Sequence, residues 1–160
     1  MDVEERLERA GLALPPPMQV PAGVEIPFAW ARATGARAVL SGHGALSDEG
    51  SPAGPFGKVP NTVTLGDAQR SAVSAGLAIL ASLRREIGDL GRVDHWVVIN
   101  GFVNAYPGYS QTTAVLNPLS ELILDLWGPD AGRHARTAIG VAALPLDLPV
   151  VISAEVALRD

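Results

Sequence analysis

The 160-residue chain contains no cysteine. That absence removes a thiol nucleophile, a thiolate metal site and a disulfide framework, and it is compatible with a reducing cytosol. A basic stripe is missing too: 12 Lys and Arg residues are scattered among 17 acidic ones, for a formal net charge of −5. Nucleic acid is therefore not expected as a partner. No apolar run approaches the roughly 20 residues that cross a bilayer. The opening MDVEERLERAGLALPPPM begins with acidic residues where a secretory leader would have basic ones. The expectation is a soluble, cytoplasmic protein with no membrane partner. No histidine–carboxylate cluster has metal-ligand spacing, and neither a Gly-rich phosphate loop nor a Gly-x-Ser-x-Gly elbow occurs. No metal and no cofactor are expected.

What is present is one domain's worth of chain, long enough to bury roughly 70% of its extended surface without staples. Residues 2–12 can form a short amphipathic helix with Val3, Leu7 and Ala10 on one side, and Pro15, Pro16 and Pro17 end it. Residues 1–22 are read as an extension and 23–160 as the domain. PFAWARATG (27–35) and ARAVLSGHGAL (36–46) read as a hairpin turning at Thr34-Gly35. SDEGSPAGPFGKVP (47–60) reads as a surface loop.

Across 64–88, Leu65, Ala68, Ala72, Gly76, Ile79, Leu83 and Ile87 keep three- to four-residue spacing, with Asp67 in the first turn and Arg84 and Arg85 in the last, complementing the helix dipole. The spacing predicts a helix whose shallow middle, at Ala72, Ala75 and Gly76, lies close on a sheet. RVDHWVVINGFVNA (92–105) reads as a central strand. Residues 112–127 return to helical spacing and stop at Gly128-Pro129, and two more strands follow at 136–143 and 149–158. The order β-β-α-β-α-β-β implies a two-layer α+β domain with helices on one face of the sheet. Val39, Val98, Ile139 and Val150 suggest that both sheet faces are apolar. The bare face is therefore expected to pack against other copies.

In GRHARTAIGVAALP (132–145), Arg136 stands at the mouth of an apolar run that reads as a buried strand. A guanidinium there calls for an anion, either a ligand carboxylate or an acidic side chain such as Glu121 or Asp125.

VLSGHGAL, INGFVNAYPG, VLNPLSEL and GRHARTAIGVAALPLDLPVVISAEVAL together resemble segments of the RidA/YjgF family, the imine and enamine deaminases also known as endoribonuclease L-PSP proteins. The resemblance covers roughly residues 24–158. It implies a chorismate-mutase-like fold with a mixed sheet, a trimer, and a ligand cleft between adjacent subunits. The family motif Ala-Arg-Ser-Cys-Val, whose arginine pairs with a substrate carboxylate, reads here Ala135-Arg136-Thr137-Ala138-Ile139. The resemblance also implies that the Gly42 amide faces the ligand, that Phe28 stands where a tyrosine is usual, and that Asn117 matches a position often filled by Asn. Read by itself, Asn117 is a helix N-cap.

One departure bears on activity. The family glutamate that positions the attacking water corresponds to Val151 here. Ser153 and Glu155 follow on the same strand face, about 7 and 13 Å further along. Ser153 could hold a water, and His43 and His134, flanking pocket segments, are candidates for proton transfer. His95 is expected to be a structural ring within an apolar strand. The implied function is binding of a small carboxylate-bearing metabolite, with hydrolysis of 2-imino or enamine acids to 2-keto acids and ammonia; the alternative is a non-catalytic binding trimer of the same fold.

Overall fold

The computed structural model describes residues 1–159. Its elements are α1 (Val3–Arg9), β1 (Ala31–Thr34), β2 (Arg37–His43), α2 (Leu65–Ile87), β3 (Val93–Asn104), α3 (Thr112–Ala131), β4 (Ala135–Val141) and β5 (Val150–Leu158). Single 3-10 turns stand at Leu90–Arg92 and Pro145–Asp147. The expected order β-β-α-β-α-β-β is present. The hairpin turns one residue later than expected, at Gly35-Ala36, and its first strand is only four residues long.

The strands form one mixed sheet in the order β1-β2-β5-β3-β4. Only β3 and β4 are parallel, because α3 carries the chain back between them. Side chains alternate cleanly along β5: Val150, Ile152, Ala154, Val156 and Leu158 are buried, while Val151, Ser153, Glu155 and Ala157 turn the other way. The buried set meets α2, whose stripe Ala68, Ala72, Ala75, Ile79 and Leu83 is fully covered. Gly76 serves a different contact from the one expected. A Cβ there would lie 2.3 Å from Leu119 Cδ1, so the shallow point of α2 admits α3 rather than the sheet.

Pro118 sits inside α3 and cannot donate to Ala114 O, and Gln69 Nε2 of α2 donates to that carbonyl instead at 2.9 Å. The helix breaks at Gly128 (φ 84°, ψ 174°), as the Gly-Pro pair implied, and a last turn follows. α1 buries Val3 and Leu7 against the domain, and Arg6 Nη1 donates to Asp125 O and Leu126 O at 3.1 Å, occupying free carbonyls near that break.

Three expectations need correction. β4 is an edge strand, not a buried one, because nothing among the described residues pairs with its outer side; Ile139 is 45% exposed. His95 is exposed and faces Asp94, its Nδ1 lying 3.0 Å from Asp94 Oδ2. The 47–60 loop has no helix or strand, yet Val59 is fully buried beside Ala105, since Lys58 Nζ reaches the wholly buried Asn104 at 2.7 Å and also Ala142 O.

The uncovered sheet face carries Val39, Glu155, Ser153, Val151, Val98, Asn100, Phe102, Thr137 and Ile139. Val39 is 50% exposed. An ion pair between Arg37 and Glu155 at 2.5 Å borders this face. The second face inferred from the sequence is therefore partly apolar, with Val39, Val98, Val151, Phe102 and Ile139 beside polar residues, and nothing among the described residues covers it.

Candidate functional site

Beside β2 and the end of α2 lies a cavity of about 320 Å³. Its walls are apolar, with Met18, Phe28, Trp30, Leu46, Leu148 and Val151 among them. Phe28 and Trp30 meet edge to face, centroids 5.0 Å apart, and Trp30 leans on the His43 ring at 5.2 Å. Gly42 stands where β2 slips its register against β5. A Cβ at Gly42 would lie 3.0 Å from Val151 Cγ1, so a larger residue would crowd the wall where the cavity approaches the strand backbone.

The polar groups of the cavity are Arg85, Ser82 and His43. His43 Nδ1 lies 2.6 Å from Ser41 O and Nε2 2.8 Å from Ser82 Oγ. A carbonyl only accepts, so Nδ1 carries the proton, and Nε2 takes the hydrogen of the Ser82 hydroxyl. Arg85 Nη2 donates to the same Ser82 oxygen at 3.0 Å. Burial pushes the His43 pKa below its ordinary value; the Ser41 carbonyl opposes this and Arg85 reinforces it. The ring is neutral near pH 7. Among the described residues, no carboxylate lines the cavity.

The far side of α3 has a second group. Arg136 points to the helix face of β4 and donates to Ser120 Oγ at 3.0 Å and to Thr113 O at 3.4 Å. His134 Nε2 lies 2.9 Å from Ser120 Oγ and Nδ1 2.8 Å from Gly132 O. Burial lowers the His134 pKa, with the Gly132 carbonyl opposing and Arg136 assisting. Neither Glu121 nor Asp125 pairs with Arg136. Partial burial lowers the Arg136 pKa without approaching neutral pH, since a guanidinium stays charged in proteins.

The candidate residues thus divide. Phe28, Gly42 and His43 meet at the cavity with Val151, while Arg136 and His134 form a separate group on β4 of the same chain. Ser153 lies on the uncovered sheet face, 3.5 Å from Asn100 Nδ2, and does not line the cavity. Asn117 is exposed within α3. It is no N-cap, a position held by Gln111, and it does not line the cavity either. Ser82 and Arg85 were absent from the sequence reading, which took Arg85 only as a charge at a helix end. The available signal was Ser82 itself, a hydroxyl set in an apolar stripe between Ile79 and Leu83, one turn before an arginine.

The two lowered histidines make stability depend on pH. Below the ordinary imidazole value of about 6.5, the unfolded chain binds protons that the folded chain refuses, so stability falls as pH drops through that value and is unaffected by these rings above it. Urea unfolding is expected to show a steady loss between pH 7 and pH 5.5, with a shallower slope in His43→Gln. A flat profile in the parent protein over that interval would contradict the neutral, buried rings.

No family model matches the chain. A segment of 104 residues is 36% identical to Protein TCP17 of Trypanosoma cruzi, covering 65% of each, so the match spans less than two thirds of that relative. The Agrobacterium tumefaciens protein Atu1372, described as of unknown function, is 30% identical, with a TM-score of 0.84 over 98% of this chain and 91% of that one. A Shewanella oneidensis structure described as a candidate endoribonuclease superposes with a TM-score of 0.86 at 23% identity, over 99% of this chain and 100% of that one. The Escherichia coli YjgF product shares the fold at a TM-score of 0.56 and 19% identity, over 92% and 96% of the two chains.

Proposed function

Since the chain belongs to a RidA-like family together with Atu1372, we propose that it binds a small 2-imino or 2-keto acid in a cleft between copies and hydrolyses the imine. The observation that carries this reading is the division of the site: an apolar cavity with a neutral histidine relay on one side of the chain, and an arginine free of carboxylate partners, among the described residues, on the sheet edge. Packing of the uncovered face against other copies, three in the family's arrangement, sets the β4 edge of a neighbour, with its Arg136, at the mouth of the cavity. The ligand carboxylate then lies on that guanidinium and on the Gly42 amide.

The chemistry is the addition of water to the imine carbon, followed by loss of ammonia. The water oxygen bonds to carbon as the carbon–nitrogen π pair moves to nitrogen, which gains a proton. A second proton reaches nitrogen, the hydroxyl gives up its own, and the carbon–nitrogen bond breaks to leave a keto acid. Both nitrogens of His43 are engaged, so proton transfer between water and imidazole runs through Ser82 Oγ. An enamine reacts after protonation at carbon gives the same imine. Val151 in place of an acid favours the second reading, a binding protein without turnover.

The test generates 2-imino acids in situ with an amino-acid oxidase and traps them with semicarbazide. Wild type is expected to compete with the trap, and Arg136→Ala to lose about 100-fold or more of that competition. If wild type fails to compete but binds a keto acid calorimetrically, the binding reading replaces the catalytic one.

A further inference from the structure

One side-chain arrangement occurs twice. Arg85 donates to Ser82 Oγ and Arg136 to Ser120 Oγ, both at 3.0 Å. The serines approach His43 Nε2 at 2.8 Å and His134 Nε2 at 2.9 Å. Each ring meets, through Nδ1, the carbonyl two residues before it in the chain, Ser41 at 2.6 Å and Gly132 at 2.8 Å. In both, the carbonyl fixes the tautomer, the imidazole takes the serine hydrogen, and the serine oxygen is left to orient the guanidinium.

Arg85 is thereby held through Nη2 alone, Arg136 through Nη1 and, at 3.4 Å, through Nη2 to Thr113 O, and the remaining donors stay available. Among the described residues neither is paired with a carboxylate, although Arg84, beside Arg85, has Glu4 at 3.9 Å. Arg85 lines a cavity whose other walls are almost entirely apolar. An oriented guanidinium at the edge of an apolar cavity is a receptor for an acid group.

We infer that Arg85 is a second anion anchor, so that the ligand is a diacid, held at one end by Arg136 of the neighbouring copy and at the other by Arg85, with an aliphatic middle against Phe28, Trp30, Leu148 and Val151. The diacid rests on the reading of Arg136 as the first anchor; the anion site at Arg85 does not. Arg85 is exposed as a residue, and the partial desolvation of its guanidinium at the cavity wall, with Arg84 adding to it, lowers its pKa only in the direction that an acid partner would reverse.

Calorimetric titration with 2-oxoadipate and 2-oxohexanoate separates the two anchors, because these acids differ only in a terminal carboxylate or methyl. Wild type is expected to prefer the diacid by about 10- to 100-fold. Arg85→Gln abolishes that preference by weakening the diacid far more than the monoacid, while Arg85→Lys keeps part of it. Equal affinities in wild type, no saturable binding of the diacid, or an undiminished preference in Arg85→Gln each overturn the inference. Failure of the first anchor reads differently: Arg136→Gln would leave monoacid binding intact, whatever Arg85 does to the ratio of the two acids.

Discussion

Gly101→Val is expected to destabilise the chain by about 3 kcal/mol, the upper end of what overpacking costs. Gly101 lies on the helix-facing side of β3, and a Cβ there would stand 2.6 Å from both Cγ and Cδ1 of Leu116 and 3.0 Å from Cδ2. The clash is with the body of a fully buried side chain, not with a flexible tip, so α3 must lift or Leu116 must leave its rotamer. Leu116→Ala, which removes the opposing mass, costs about 2–5 kcal/mol by itself through the cavity it leaves. Combined, the two substitutions should cost less than their sum by about 1–2 kcal/mol, because the valine methyls enter the vacated space. Urea unfolding of the four proteins closes the cycle. Additive costs would mean that Gly101 and Leu116 do not share one volume. Ser120 lies one turn beyond Leu116, so a lifted helix also shifts the partner of Arg136.

Mixing two inactive variants is expected to restore activity. Arg136→Ala keeps its cavity, and Gly42→Phe keeps its arginine but fills the cavity wall beside Val151. If each cleft takes its cavity from one copy and its arginine from the next, co-refolding the two in equal amounts gives about a quarter of wild-type turnover, or of keto-acid binding sites, since one interface in four pairs the two intact halves. A cleft contained within one chain would give none. The same preparations, measured by light scattering, report whether the uncovered face with Val39 and Ile139 brings copies together; a monomer at micromolar concentration would remove the basis for a shared cleft.

The parts of the fold that follow one strong period were legible in the sequence. α2 begins and ends within a residue of its predicted limits because its apolar spacing, Thr64 cap and terminal charges agree. β3 and β5 are equally close, their β-branched runs being long enough to exclude alternatives. β4 misled, since its apolar residues look alike whether a strand is central or at the edge, and only pairing order distinguishes the two. Of the residues lining the cavity, Gly42 and Phe28 were pointed to by the family resemblance and His43 by its place beside a presumed pocket segment, and the three meet there. Arg85 and Ser82 were missed, because a helix end that complements its own dipole gives no sign that its arginine also faces a cavity on β2. Tertiary proximity between α2 and β2 supplies that information, and sequence spacing does not.

The turn that closes the cavity near Leu148 also bears on how a ligand is chosen. Leu146 and Asp147 both hold positive φ, 57° and 56°, a region costly for residues with a side chain. Asn104 Nδ2 holds Asp147 Oδ1 at 3.0 Å, and Gly57 N donates to Asp147 O at 2.7 Å, so the turn is kept there by β3 and the 47–60 loop together. A rim fastened at two points does not mould itself to its occupant. The ordering entropy that a mobile lid would lose on each encounter has already been lost during folding. On the proposed reading, discrimination would rest on a shape that exists before any ligand arrives, and poorly fitting acids would be rejected by misfit rather than by failure to trigger closure.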